Sequence, residues 1–345
     1  MIAPNSRKPS HEPWSASRAE RSLLGRLVSL LLLGIAGLSV RGAETSANTN
    51  GEPIRFAFSS RMFTEVNEND AKASVKAWGL ALARERHVPM STEAIILSDT
   101  PALQKAMRES LIDGAAVTAE EYLSLERELQ GTNLFASFIG GQYTEEYLLL
   151  VRGNSGIADL QGLRGRKLAL FDNARASLAP LWLDLILSGQ GLGAPADFFG
   201  PIVKAQKLTK VVVPVFFGQA DACVVTRRGF ETMCELNPQI RTQLRVLASS
   251  PKLVPALGFI RRGYDSPLRD TLFAALRGLE TSAAGAQVLT LFQSDQLHEV
   301  PVSLLEETRA FVATHHALSQ VTAGRSSPPG LSPQSPATPP GPESP

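Results

Sequence analysis

Leu168–Phe171 is a short apolar run bounded by charge, and it reads as a buried parallel strand. A second apolar stretch, 178–187, follows at once with Pro180 in its first turn. Proline is tolerated there because those N–H groups have no intrahelical partner. Ser177 stands just before the stretch, where an N-cap belongs. The unit 166–187 is thus strand, polar loop and helix N-terminus. Open α/β sheets bind ligands at the carboxyl ends of their strands, which is where loop 172–177 falls. Free backbone amides and the helix dipole favour an anion at such a place, and Arg175 adds a full positive charge. Asn173, Arg175, Ala176 and Ser177 are therefore candidate contacts for a small anion. The alternative is an ordinary βα loop with Arg175 in solvent.

The same alternation runs along the chain. Strands are expected at 54–58, 92–97, 115–117, 134–139, 147–151, 211–217, 222–225, 244–247 and 256–260. Helices are expected at about 70–86, from Thr100, at 178–187, 266–279, 282–292 and 303–318. Strands alternating with helices argue for an α/β protein with parallel sheets. An acid, a small residue and a short strand recur at Asp113 and at Asp221, which suggests two similar lobes.

The ends of the chain are set apart by composition. Arg18, Arg21 and Arg26 precede an apolar run at 27–40, shorter than the roughly 20 residues of a spanning helix. Residues 1–43 read as a signal peptide or a retained N-terminal anchor, and 44–53 as a linker. A disordered Ser/Pro-rich tail is expected over 319–345, with its bias strongest from Gly324. Net charge is +1, and no run interleaves aromatics with Lys or Arg, so nucleic-acid binding is not expected.

Cys223 falls in an expected strand and Cys234 in the helix after it. A disulfide and two buried thiols are both open. His11, His87, His298, His315 and His316 adjoin no nucleophile motif, and no phosphate loop or metal motif is present. No catalytic residue, cofactor or metal is expected.

Four stretches carry a resemblance: 159–172 (DLQGLRGRKLALFD), 111–117 (LIDGAAV), 218–225 (GQADACVV) and 249–255 (SPKLVP after Ser249). In this order and spacing the chain resembles a periplasmic substrate-binding protein of the phosphate/phosphite/phosphonate ABC transporter family, over roughly 54–300. The resemblance implies a two-lobed type II periplasmic-binding-protein fold. Each lobe would be a mainly parallel sheet flanked by helices, joined by two crossing segments. Lobe 1 would comprise 54–145 and 255–318, and lobe 2 would comprise 146–254. A small anion would lie in the cleft between them.

The family's anion loop reads Asp-Pro-x-Ser-Thr-Ser-Gly. Here 172–178 keeps only the aspartate and the last serine and gains Arg175. An arginine fork suits a carboxylate as well as a phosphonate. By the same resemblance Asp221 matches an acid that meets a ligand amine, the alternative being a turn cap. Ser59 and Ser60 match a cleft-facing loop of lobe 1. Thr118 is either its counterpart or a helix N-cap. Tyr147 or Tyr143 would stack on the ligand or lie in the core. The implied setting is a monomer in the periplasm serving an inner-membrane ABC permease, with a sensor role as the alternative and an enzyme on the same fold as a weaker one.

Overall fold

The computed structural model describes residues 52–326 apart from 65, 92, 130–132, 263, 265 and 266. The signal or anchor segment 1–43, most of the linker and the tail from 327 lie outside the described residues.

The chain first lays down β1 (Phe56–Ser59), α1 (Glu68–Arg86), β2 (Ile95–Leu97), α2 (Thr100–Arg108), β3 (Gly114–Thr118), α3 (Ala119–Leu129) and β4 (Asn133–Phe138). It then builds β5 (Tyr147–Arg152), β6 (Leu168–Phe171), α4 (Ala179–Ser188), α5 (Pro195–Phe198), β7 (Ile202–Ala205) and α6 (Leu208–Phe216). β8 (Ala222–Thr226), α7 (Arg227–Leu236), α8 (Pro238–Gln243) and β9 (Leu244–Ser249) complete that part. It returns with β10 (Ala256–Ile260), α9 (Pro267–Leu276), α10 (Ala283–Leu291), β11 (Gln296–Val300) and α11 (Glu306–Ser326).

Two sheets result, one in the order β11-β4-β10-β3-β1-β2 and the other β7-β6-β8-β5-β9. Both fit the expectation of mainly parallel sheets: β1, β2, β3 and β4 run one way in the first, and β6, β7, β8 and β9 in the second, with β10, β11 and β5 running against them. β1 runs parallel to β2 and β3, and β6 to β7 and β8. β10 runs antiparallel to β3 and β4, β11 to β4, and β5 to β8 and β9. The reason is the crossing. The chain passes between sheets at 139–146 and 250–255, so β5 and β10 each enter a sheet from the edge where its parallel strands end. A strand entering from that edge must run against them. The two crossing segments pair with each other: Glu145 and Leu253 exchange backbone hydrogen bonds of 2.7 and 2.8 Å.

Asp113 and Asp221 explain the repeated motif. Each sits at the amino end of its strand and accepts a backbone N–H from the residue that opens the neighbouring parallel strand. Asp113 takes that of Arg55 at 2.9 Å, and Asp221 that of Lys167 at 2.9 Å. Both acids are strand clamps on the side of the sheet away from the crossing.

Two expectations fail locally. Residues 211–216 are helical, within α6, and Phe217 is its C-cap. Val211, Val212 and Val215 are its buried face, a 3.6-residue spacing that overrides the strand preference of β-branched side chains. The edge strands β7 and β11 are additional to the expected set. The last helix also continues past 318 and touches both halves of the chain. Its Arg309 grips Glu126 of α3 at 2.6 and 2.9 Å, while Phe311 and Val312 join the core of the second sheet.

Candidate functional site

The loop after β6 forms a single 3-10 turn over Ala174–Ala176, capped by Asn173, whose side chain accepts from the Arg175 N–H at 2.8 Å. The following helix has Leu178 at its N-cap with no side-chain hydrogen bond. Ser177, expected as that cap, instead donates to the Pro255 carbonyl at 2.9 Å, fastening the loop to the second crossing segment.

Asn173, Ala174 and Arg175 line a cavity of about 120 Å³. Met62, Phe63 and Thr64 after β1 face them from the first sheet, with Tyr143, Pro255, Phe292 and Gln293. The cavity therefore lies between residues of both sheets, beside the crossing segments. Gln206, just past β7, donates to the Thr64 carbonyl and ties the two halves together at this point.

Arg175 is the charged residue on this wall among the described residues. Its Nε donates to Glu145 Oε1 at 2.6 Å, where the carboxylate side chain is only 3% exposed. Arg228, at the start of α7, approaches the same oxygen at 3.9 Å and donates from Nη2 to the Ile139 carbonyl at 2.6 Å. Two guanidinium groups thus share one carboxylate, leaving a local excess of positive charge. Arg175 Nη2 is buried with no hydrogen-bond partner, a state that costs free energy until an acceptor arrives. The next residue, Glu146, pairs with Arg227 through two bonds of 2.6 Å. That pairing holds the Glu146 carboxyl below its ordinary range.

Of the residues read from the sequence, Asn173 and Arg175 come together at the cavity. Ala176 is buried behind them, and Ser177 is turned to Pro255. Tyr147 is wholly buried, and its hydroxyl donates to the Arg175 carbonyl at 3.2 Å, so it supports the loop from beneath. Burial pushes that hydroxyl's pKa up. Tyr143, not Tyr147, is the tyrosine on the wall.

Ser59 and Thr118 are taken by a buried carboxylate. Glu121 accepts from Ser59 Oγ at 2.7 Å and from Thr118 N and Oγ1, each at 2.9 Å. Thr118 and Glu121 form a capping box at the start of α3. Ser60 donates to the Ser98 carbonyl at 3.0 Å and is exposed. Asp221 is at the opposite end of its sheet from Asn173, because it precedes β8 whereas Asn173 follows β6, and the two strands are parallel. The turn-capping reading describes Asp221.

Phe63, Phe292 and Gln293 are cavity residues that the sequence reading missed. Phe292 lies nearly flat on Phe58, with ring centroids 5.3 Å apart and planes at 16°. Gln293 has a left-handed backbone, φ +50°, and ends α10 at the cavity. No local motif marks either. Among the described residues no group of His, Cys, Asp and Glu side chains could hold a metal ion.

Two mixed α/β sheets joined by two paired crossing segments, with a cavity beside the crossing, define a two-lobed binding-protein fold. A family described as "ABC transporter, phosphonate, periplasmic substrate-binding protein" matches residues 62–303, and the chain belongs to that family. Among solved structures, a Xanthomonas citri protein bound to chloride ion is similar at TM-score 0.55 and 17% identity, over 78% of this chain and 99% of that one. A binding protein component of an ABC phosphonate transporter from Pseudomonas aeruginosa is similar at TM-score 0.53 and 16% identity, over 79% and 89%. PhnD1 from Prochlorococcus marinus in complex with methylphosphonate is similar at TM-score 0.53 and 11% identity, over 76% and 98%. At these identities the likeness is one of fold. No curated protein matches the chain.

Proposed function

We propose that the chain is exported to the periplasm, captures a small phosphonate- or phosphate-like anion between its lobes, and passes it unchanged to an inner-membrane ABC permease. The lobes that close on it are 54–145 with 255–318, and 146–254. The observation that carries this reading is the lining of the cavity by Asn173, Ala174 and Arg175. The Arg175 guanidinium stands there, and two arginines outnumber the one carboxylate between them. The Arg175 side chain is partly exposed on the cavity wall, and charge-assisted bonds from a guanidinium to an anion are the strong ones. Family membership supports transport over catalysis, and the complex of the Prochlorococcus protein with methylphosphonate supports the ligand class.

The test is thermal unfolding of the full chain with methylphosphonate, phosphite and phosphate. A ligand at a hundred times its Kd adds about 2.7 kcal/mol of stability. Arg175→Ala is expected to lose that response while Arg228 still neutralises Glu145. A full response in Arg175→Ala would place the anion elsewhere.

A further inference from the structure

A second chamber of about 60 Å³ adjoins the cavity and shares Met62, Ser137, Ala256 and Phe292 with it. Its wall is Phe56, Phe58, Trp78, Phe135, Phe292 and Leu297. The rings form one cluster: Phe56 to Trp78 is 4.9 Å between centroids, Phe58 to Trp78 is 5.2 Å, and Phe56 to Phe135 is 5.8 Å. Gly258 on β10 lets this wall form, because a Cβ there would collide with the Phe135 ring.

The two chambers differ in chemistry. The larger has Asn173, Arg175, Thr64 and Gln293 on its wall. In the smaller, the Ser137 hydroxyl and the indole N–H of Trp78 are the polar side-chain groups among the described residues. Water finds few partners in such a space, and a charged or hydrogen-bonding group entering it would lose solvation without compensation. An apolar group loses nothing and leaves water.

We propose that the anion captured at Arg175 carries a short apolar arm, a few carbons long or a single ring, which lodges in the chamber between Phe58, Trp78 and Phe292. The substrate class is an alkyl- or arylphosphonate, and the arm is uncharged. This rests on the anion-capture reading above. Arg175 holds the head, and the aromatic wall selects among heads by what they carry. An amine-bearing arm would lose its hydration in a chamber with no carboxylate on its lining among the described residues, a cost larger than the attraction of the rings for a cation.

The experiment is calorimetric titration of the full chain with methyl-, n-butyl-, phenyl- and 2-aminoethylphosphonate. Each buried methylene is worth roughly fourfold in affinity, so n-butyl- and phenylphosphonate are expected to bind at least about tenfold more tightly than methylphosphonate. The 2-aminoethyl compound is expected to bind more weakly than the n-butyl compound. Ala116→Leu fills the chamber from β3 and Leu297→Trp fills it from β11. Either is expected to bring the n-butyl to methyl affinity ratio near one. Equal affinities for methyl and n-butyl in the unmodified chain, or a tighter 2-aminoethyl compound, would overturn the apolar arm and leave anion capture standing. Failure of every phosphonate to bind would overturn both.

Discussion

Arg175 and Glu145 are joined at 2.6 Å across the junction of the two lobes. The backbone of Glu145 pairs the two crossing segments through Leu253, while its side chain holds the one guanidinium the cavity wall displays among the described residues. The carboxylate thus stands where the lobes meet and, on the anion-capture proposal, would compete with an anion for Arg175. A binding protein must let its ligand go, and an internal competitor at the site is a physical means of limiting affinity.

Glu145→Gln removes that competitor while keeping an acceptor of similar shape. Two guanidinium groups then lose their counter-charge, so the unliganded variant is expected to lose roughly 3 kcal/mol of stability. Methylphosphonate is expected to restore more stability in the variant than in the parent, because it now meets an unopposed Arg175. Thermal unfolding with and without the ligand measures both. A folded variant that no longer responds to methylphosphonate would mean that Glu145 aims Arg175 instead of competing for it.

Glu121 is expected to matter for stability alone. It receives three hydrogen bonds while almost wholly buried. Glu121→Ala leaves Ser59 and Thr118 without their acceptor, at a cost of about 3 kcal/mol. Urea unfolding measures that loss, and calorimetry on the folded variant is expected to give a phosphonate Kd within about twofold of the parent, since hydrogen bonds this far inside are structural. A Kd weakened tenfold or more would return Ser59 and Thr118 to the ligand site.

The central strands and the loop after β6 were legible because burial on both faces writes unbroken apolar runs such as Leu168–Phe171 and Tyr147–Arg152. The edge strands Ile202–Ala205 and Gln296–Val300 were not, because an edge is half solvated and its residues are mixed. The strand–loop–helix order made Asn173 and Arg175 candidates but left an ordinary loop equally open, and it is the tertiary fold that puts both on the cavity wall. Phe292 and Gln293 were not candidates, since they come from an element far along the chain whose docking only the tertiary fold decides. Ser59, Thr118 and Asp221 are ambiguous in the sequence for one reason. A polar residue at a strand end looks the same in sequence whether it faces a ligand or caps its own backbone.

Stability should fall in acid through Glu146. Its bond to Arg227 lowers the native carboxyl pKa below the unfolded one, with burial opposing. The native state therefore binds that proton less readily. The contribution is complete above the unfolded value and is lost as pH falls through the native one. Glu146→Gln is expected to cost on the order of 1 kcal/mol near neutral pH, a figure kept small by the exposure of Arg227. The deficit should shrink between about pH 6 and pH 3. Urea midpoints of parent and variant across that range test it, and a constant deficit would show that the pair's charge contributes nothing.

Cys223 and Cys234 are both buried and unbridged. Cys223 lies in β8, wholly buried between β5 and β6, and burial pushes its thiol far up; Cys234 in α7 is raised for the same reason. The thiolate is the reactive species, so neither sulfur should attack an aromatic disulfide reagent in the native chain. Denaturation should expose both at once, because they belong to the same core and that core opens as a unit. The intact mass of the chain should match two free thiols before and after reduction. A mass that rises by about two hydrogens on reduction would reveal a bridge. Native modification of Cys234 alone would show that α7 opens locally while the sheet behind it stays closed.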